Sequence, residues 1–235
     1  MSLLKILALF SSAALFTSAV VVPLPRARPK GEHRGQMVCF VTLFLACASC
    51  GMVIASSLCH ALLLVDVPRL WSYLDPSFFC PSPTQRLYNL VPISSKFVLC
   101  TILVSTGAAV RVWSHRACSS RLSATIALLP ADEGVLVTTG PYAHVRNPSY
   151  LGLILILIGA HATHFGAGGY VTECGVEVVP ALRVLAWTWR VGTLACLAYL
   201  FRRCDVEDAR LESLFGDEWR AYRRSVPYRL IPYFV

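Results

Sequence analysis

Five stretches of this sequence are almost wholly apolar and long enough, or nearly so, to cross a bilayer: residues 3–22, 37–65, 91–113, 149–165 and 181–201. A spanning helix needs ~20 mainly apolar residues. Inside hydrocarbon it must also pair its own backbone groups. This feature predicts an all-α integral membrane protein, a bundle of about five transmembrane helices. Composition agrees, because charged residues are only 14% of the chain and hydrophobic ones 56%, against ~25% charged in a soluble domain. A soluble enzyme, a disordered chain and a coiled coil are all disfavoured.

Individual stretches carry further expectations. The second is long enough to tilt or break, and Gly51 near its middle permits either. The fourth is short, and Gly159 and His161 suggest that its far end meets the interface. The first has small residues, Thr17-Ser18-Ala19, of the kind a signal cleavage site needs. Its flanks argue for a retained span instead: only Lys5 precedes the apolar core, while Arg26, Arg28, Lys30 and Arg34 follow it. The links between spans hold proline clusters (Pro23, Pro25, Pro29; then Pro76, Pro81, Pro83) that exclude helix interiors.

Charge orients the bundle. The chain has 21 Lys+Arg against 13 Asp+Glu, a net +8. The basic residues concentrate in segments 23–36, 111–148 and 202–235, whereas 166–180 has none and carries Glu173 and Glu177. Alternate links are therefore basic, as five spans demand. The positive-inside rule puts the C-terminus and segment 114–148 together in the cytosol. The chain divides into N-terminal transmembrane helices, 1–110, and a region 111–235 with a cytosolic loop, a helical hairpin and a C-terminal amphipathic helix.

Ten cysteines raise the question of a disulfide scaffold. Cys39, Cys47, Cys50, Cys59, Cys100 and Cys196 lie within apolar runs, where cysteine acts as a small hydrophobe. Cys47 and Cys50 spell CxxC, but mid-span, without the electropositive setting that redox work requires. The cysteines therefore point to packing rather than disulfides. His161 and His164 could share a helix face, yet no Cys, Asp or Glu lies close by in sequence to complete a metal site. Both are expected at the interface, and no metal is expected.

Two polar segments stand out. One runs from Gly134 through Gly140-Pro141 and Asn147-Pro148 into the fourth span. Pro148 suits the first turn of a helix and Asn147 its N-cap. A capped re-entry loop leaves the density of Tyr142, His144, Arg146, Asn147 and Tyr150 unexplained. Such groups at the mouth of a span suggest a ligand site. The other segment, 201–227, places Leu211, Phe215, Trp219, Tyr222 and Val226 on one helical face, with charges opposite. It reads as an amphipathic helix on the membrane surface or against the loop, which Gly216 would divide. Arg203 and Glu207 lie four apart where the fifth span opens to water. A surface pair of that spacing is worth only ~0.3–0.5 kcal/mol, and its location is what suggests a substrate path.

Leu136-Val-Thr-Thr-Gly-Pro-Tyr-Ala-His-Val-Arg-Asn-Pro-Ser-Tyr150, the following span, Glu207-Asp208 and Phe215-Gly-Asp-Glu-Trp-Arg-Ala-Tyr222 resemble the isoprenylcysteine carboxyl methyltransferases. The resemblance covers roughly residues 110–235. It implies S-adenosylmethionine as cofactor and the C-terminal cysteine of prenylated proteins as substrate, in the endoplasmic reticulum membrane. By resemblance Gly134, Val135, Leu136, Val137, Tyr142, Asn147, Pro148, Ser149 and Tyr150 line the cofactor site. Glu207 holds the cofactor's amino-acid end and Arg203 meets the substrate carboxylate. The family often has His where this chain has Asn147, and Glu where it has Asp208. Phospholipid N-methyltransferases share part of the pattern and are the alternative enzyme; a degenerate paralogue is the non-enzyme alternative.

Overall fold

The computed structural model describes residues 2–21, 33–65, 79–81, 87–119 and 136–231. Gly134 and Val135 of the expected cofactor loop lie outside them, as does most of the first two links. The described elements are α1 (Ser2–Val21), α2 (His33–Leu64), α3 (Leu87–Leu90), α4 (Ser95–Ser119), a 3₁₀ turn (Gly140–Ala143), α5 (Pro148–Phe165), α6 (Tyr170–Glu173), a second 3₁₀ turn (Val176–Val178), α7 (Pro180–Phe215) and α8 (Asp217–Ser225). No strand occurs among the described residues. α1, α2, α4, α5 and α7 are each long and apolar enough to cross a membrane.

One helix narrows the expectation and another departs from it. α2 is helical throughout, without a break at Gly51. A side chain there would meet open space, so no neighbour forces the helix to bend. α7 does not stop near residue 201 but runs on as one helix of 36 residues. At 1.5 Å per residue that is ~54 Å, well beyond a ~30 Å hydrocarbon core. The apolar span and its polar extension are thus one rod. Gly216 ends it as expected, with φ 50° and ψ −114°, a conformation that a residue with a Cβ rarely adopts.

α5 is the central helix. Half of its apolar window is buried, against 22% for α7, which mostly faces outward. α4 and α5 approach closely because glycines meet at the crossing. A Cβ on Gly107 would stand 2.5 Å from the Gly152 carbonyl oxygen, and one on Gly152 would stand 2.6 Å from that of Gly107. Small residues let membrane helices touch backbone to backbone. One turn beyond Gly107 comes Arg111, which the crossing carries to the start of α5.

The bundle has two ends. At the far end, where α2 and α5 finish and α4 begins, Cys80 and Cys174 form a disulfide. This corrects the expectation that the cysteines only pack. Cys47, Cys50, Cys59, Cys100 and Cys196 do remain free. Nearby, Glu173 accepts from the Asn89 amide at 3.1 Å and the Gly168 N–H at 2.9 Å, and the Tyr170 hydroxyl donates to the Phe79 carbonyl. Lys5 is buried there too. It donates to the carbonyls of Leu90 (2.5 Å) and Pro92 (3.1 Å) and lies over the Phe97 ring. His164 was expected at the interface but is enclosed by the bundle, with Nε2 3.5 Å from the Ser57 hydroxyl.

Candidate active site

At the other end the loop 136–147 is clasped by the chain that follows α7. α8 has acidic residues in its first turn, Asp217 and Glu218, and basic ones in its last, Arg223 and Arg224, which suits the helix dipole. Its apolar face is not laid on the membrane. Leu136, Trp219, Tyr222 and Val226 form a small core with Leu211 and Phe215. Of the two placements the amphipathic pattern allowed, the structure selects packing against the loop.

Backbone bonds complete the clasp. The N–H of Arg146 donates to the Tyr228 carbonyl and that of Asn147 to the Arg229 carbonyl, both at 2.9 Å. The Tyr222 hydroxyl donates to the Tyr142 carbonyl at 2.7 Å. The Tyr142 hydroxyl accepts from the Cys118 thiol at 3.1 Å. Burial pushes both phenols, Tyr142 and Tyr222, well above the ordinary tyrosine range, so they stay neutral.

The charged centre of the clasp is Arg146. Its Nη1 donates to Asp208 at 2.6 Å, its Nη2 donates to the Pro227 carbonyl at 3.1 Å, and its cation lies 6.0 Å from the Trp219 ring centroid. Both side chains of the Arg146–Asp208 pair are buried, 3% and 10% exposed. Burial lowers the affinity of Arg146 for its proton, and the Asp208 carboxylate opposes that shift. Asp208 also receives the Asn147 side-chain amide at 3.4 Å and stands 3.8 Å from Nε of Arg229.

Asn147 precedes α5 as expected, but its side chain makes no capping bond. Asp208 draws it away. Asn147 and Asp208, which come from different segments of the chain, therefore touch each other. Pro148 opens α5 and is fully buried. Leu136 and Val137 are buried as well, Leu136 against α8.

Beside this clasp lies the more open cluster. The Tyr150 hydroxyl donates to Glu207 at 2.5 Å. Arg203 is hydrogen-bonded to the same hydroxyl and feels the Glu207 charge. The pair expected from i,i+4 spacing is thus joined through Tyr150, contributed by another helix. Arg203 and Glu207 are both half-buried, reachable from outside. Ser149 is otherwise engaged: its hydroxyl accepts from Nη1 of Arg111 at 2.9 Å. Arg111 is 2% exposed and also donates through Nε to the Ala19 carbonyl at 2.6 Å, in the last turn of α1. Sequence reasoning placed Arg146 among the polar residues of the loop without its partner Asp208, and passed over Arg111 and Arg229. The available signal was arginine adjoining or within a span, where an unpaired cation is costly.

The fit of S-adenosylmethionine to this end can be judged from the donor set. Among the described residues, Glu207 has one oxygen on the Tyr150 hydroxyl, and its carboxylate suits an ammonium. Arg203 offers a fork to a carboxylate. The His115 Nε2 nitrogen, on the α4 face that leads to Cys118, is buried without a hydrogen-bond partner among the described residues. These groups suit a zwitterionic, amine-bearing ligand.

Fold and site together define a multi-pass helical membrane protein with a charged, part-open cluster where the bundle meets water. Residues 98–172 match the sequence model of the isoprenylcysteine carboxyl methyltransferase (ICMT) family. The Protein-S-isoprenylcysteine O-methyltransferase of Schizosaccharomyces pombe is 32% identical over 93 residues, which are 40% of this chain. That match spans 31% of the relative's length. No solved structure matches the chain. The resemblance drawn from the loop motif thus holds across α4, the loop, α5 and α6. Arg203 and Glu207 lie beyond residues 98–172, the segment that matches the family model.

Proposed function

We propose that this chain is a protein-S-isoprenylcysteine O-methyltransferase, transferring a methyl group from S-adenosylmethionine to the C-terminal carboxylate of prenylated proteins. The observation that carries the reading is the meeting of Tyr150, Arg203 and Glu207 at the mouth of a lipid-embedded bundle, next to a segment that matches the family. One substrate is then lipid-linked and the other water-soluble, and the cluster lies where both phases meet.

The bound cofactor supplies an electrophilic methyl on a sulfonium. Arg203 holds the prenylcysteine carboxylate through a two-bond fork. That carboxylate is already ionised at neutral pH, with a pKa near ~3.5, so no general base is required. The protein's task is alignment and exclusion of water. Glu207 would hold the cofactor's ammonium, and Tyr150 fixes Glu207 and Arg203 in register. By the resemblance, Leu136, Val137, Tyr142, Asn147, Pro148 and Ser149, together with Gly134 and Val135, would line the cofactor. In this reading 111–235 is the catalytic region and 1–110 its membrane support.

The site end faces the cytosol in this reading, and the membrane is that of the endoplasmic reticulum. Two independent features favour the orientation. Basic residues gather in the links of the site end, and the Cys80–Cys174 disulfide joins two links of the far end, where an oxidising lumen would maintain it. Membranes expressing the chain, given methyl-labelled S-adenosylmethionine and N-acetyl-farnesylcysteine, should form a base-labile methyl ester. Failure to form it above the level of empty membranes rejects the reading. Label appearing in phosphatidylethanolamine instead would transfer it to lipid N-methylation.

A further inference from the structure

The far end holds a second feature that the methyl-transfer reading does not use. Between α5 and α7 the chain folds over the bundle and leaves a cavity of about 520 Å³, lined by Val171, Thr172, Gly175, Glu177, Arg183 and Arg190 among others. Two guanidiniums and one carboxylate face it, an excess of one positive charge. Arg190 is committed: Nη2 pairs with Glu177 at 2.6 Å, and the cation lies over the rings of Phe165 (4.7 Å) and Trp187 (5.1 Å). Arg183 is exposed and uses its Nε–H on the Glu177 carbonyl at 2.7 Å. A guanidinium has five N–H donors, and the Nη pair is the fork that suits phosphate.

The surroundings suit one carrier of such an anion better than another. Leu182, Leu185 and Trp187, spread around the first turns of α7, are exposed, as is Val178 just before it. A soluble phosphate has no use for such a surface. A phospholipid does: its phosphate sits at the water end of the helix and its acyl chains lie along the apolar side. Arg183 is in the first turn of α7, and Trp187 follows one turn deeper, where an indole marks the interface.

We propose that this cavity binds the phosphate of a phospholipid in the leaflet opposite the candidate active site, with Arg183 as the principal donor. The Glu177–Arg190 pair forms the wall that holds Arg183 in place through the Glu177 carbonyl. The inference does not rest on the methyl-transfer reading, since it concerns the other end of the bundle.

The test is native mass spectrometry of the full chain in mild detergent, titrated with dioleoylphosphatidylglycerol. Wild type should retain one lipid under conditions that strip the rest. Arg183→Ala should bind it about tenfold more weakly, the equivalent of one charge-assisted contact. Arg183→Lys, which keeps the charge without the fork, should fall between. Arg202→Ala, an exposed arginine at the other end, should match wild type. Equal retention by wild type and both Arg183 variants overturns the proposal, as does an equal loss in Arg202→Ala. Inorganic phosphate in millimolar excess should leave the lipid bound; displacement by it would make this a soluble-phosphate site and overturn the lipid assignment.

Discussion

The two ends of the bundle are fastened by different chemistry. At the site end the loop and the tail are joined by a buried ion pair, backbone bonds and an aromatic core: Arg146–Asp208, the contacts to Tyr228 and Arg229, and Trp219. At the far end a disulfide joins the links, aided by Glu173 and by Lys5 on backbone carbonyls. A covalent tie holds two segments whatever their surroundings. A charge pair holds only while water is excluded and both partners are present. The site end is thus dependent on its own completeness, while the far end is fixed independently of it.

The sharpest break of this contrast is Asp208→Ala. It leaves Arg146 buried without its carboxylate, a loss of ~3–5 kcal/mol for removing one partner of a buried pair. Thermal melting in detergent should show it, and limited proteolysis should cut first in the loop 136–147 while the Cys80–Cys174 link stays protected. Next comes Arg203→Ala. Turnover of N-acetyl-farnesylcysteine should drop ~10²-fold, as for a lost alignment contact, with the melting temperature little changed. Retained turnover would remove Arg203 from the substrate site.

Joint replacement of Cys80 and Cys174 by serine tests the far end. Stability should fall by about 2 kcal/mol, while turnover per folded molecule stays at the wild-type level. A matching loss of turnover would mean that the two ends are coupled. The smallest effect concerns Tyr142 and Tyr222. Their pKa values are raised on folding, so the stability they contribute is complete below the unfolded value near ~10 and is lost as pH rises above it. Melting should decline between pH 9 and 11, and the decline should lessen in the Tyr142→Phe and Tyr222→Phe variants.

What was legible in the sequence follows from the range of each interaction. The spans, the break at Gly216 and the apolar face of α8 depend on neighbours within a few turns, and residue spacing reveals them. The meeting of Tyr150 with Glu207 across 57 residues was accessible only through family resemblance. Arg146 with Asp208, 62 residues apart, and Arg111 with Ala19, 92 apart, left no local trace. The disulfide did have a signal that went unread. Cys80 and Cys174 lie in the two links that five-span parity puts on the same side, away from the basic segments. Attention to cysteines inside apolar runs concealed it. Asn147 misled for another reason: a capping residue serves its own helix only if no stronger partner is near, and Asp208 is such a partner.

The clasp also sets an order of assembly. The loop 136–147 precedes its backbone partners, Tyr228 and Arg229, by some eighty residues, as the 81-residue separation of Arg146 from Pro227 illustrates. During synthesis the helices α4 and α5 can insert and cross at Gly107 and Gly152 while the ribosome is still making α7. The loop cannot close until residues 226–230 have emerged. Every unfinished chain therefore carries the α4–α5 crossing without the clasp at its mouth, and a ribosome that stalls anywhere before that point leaves the loop unfastened.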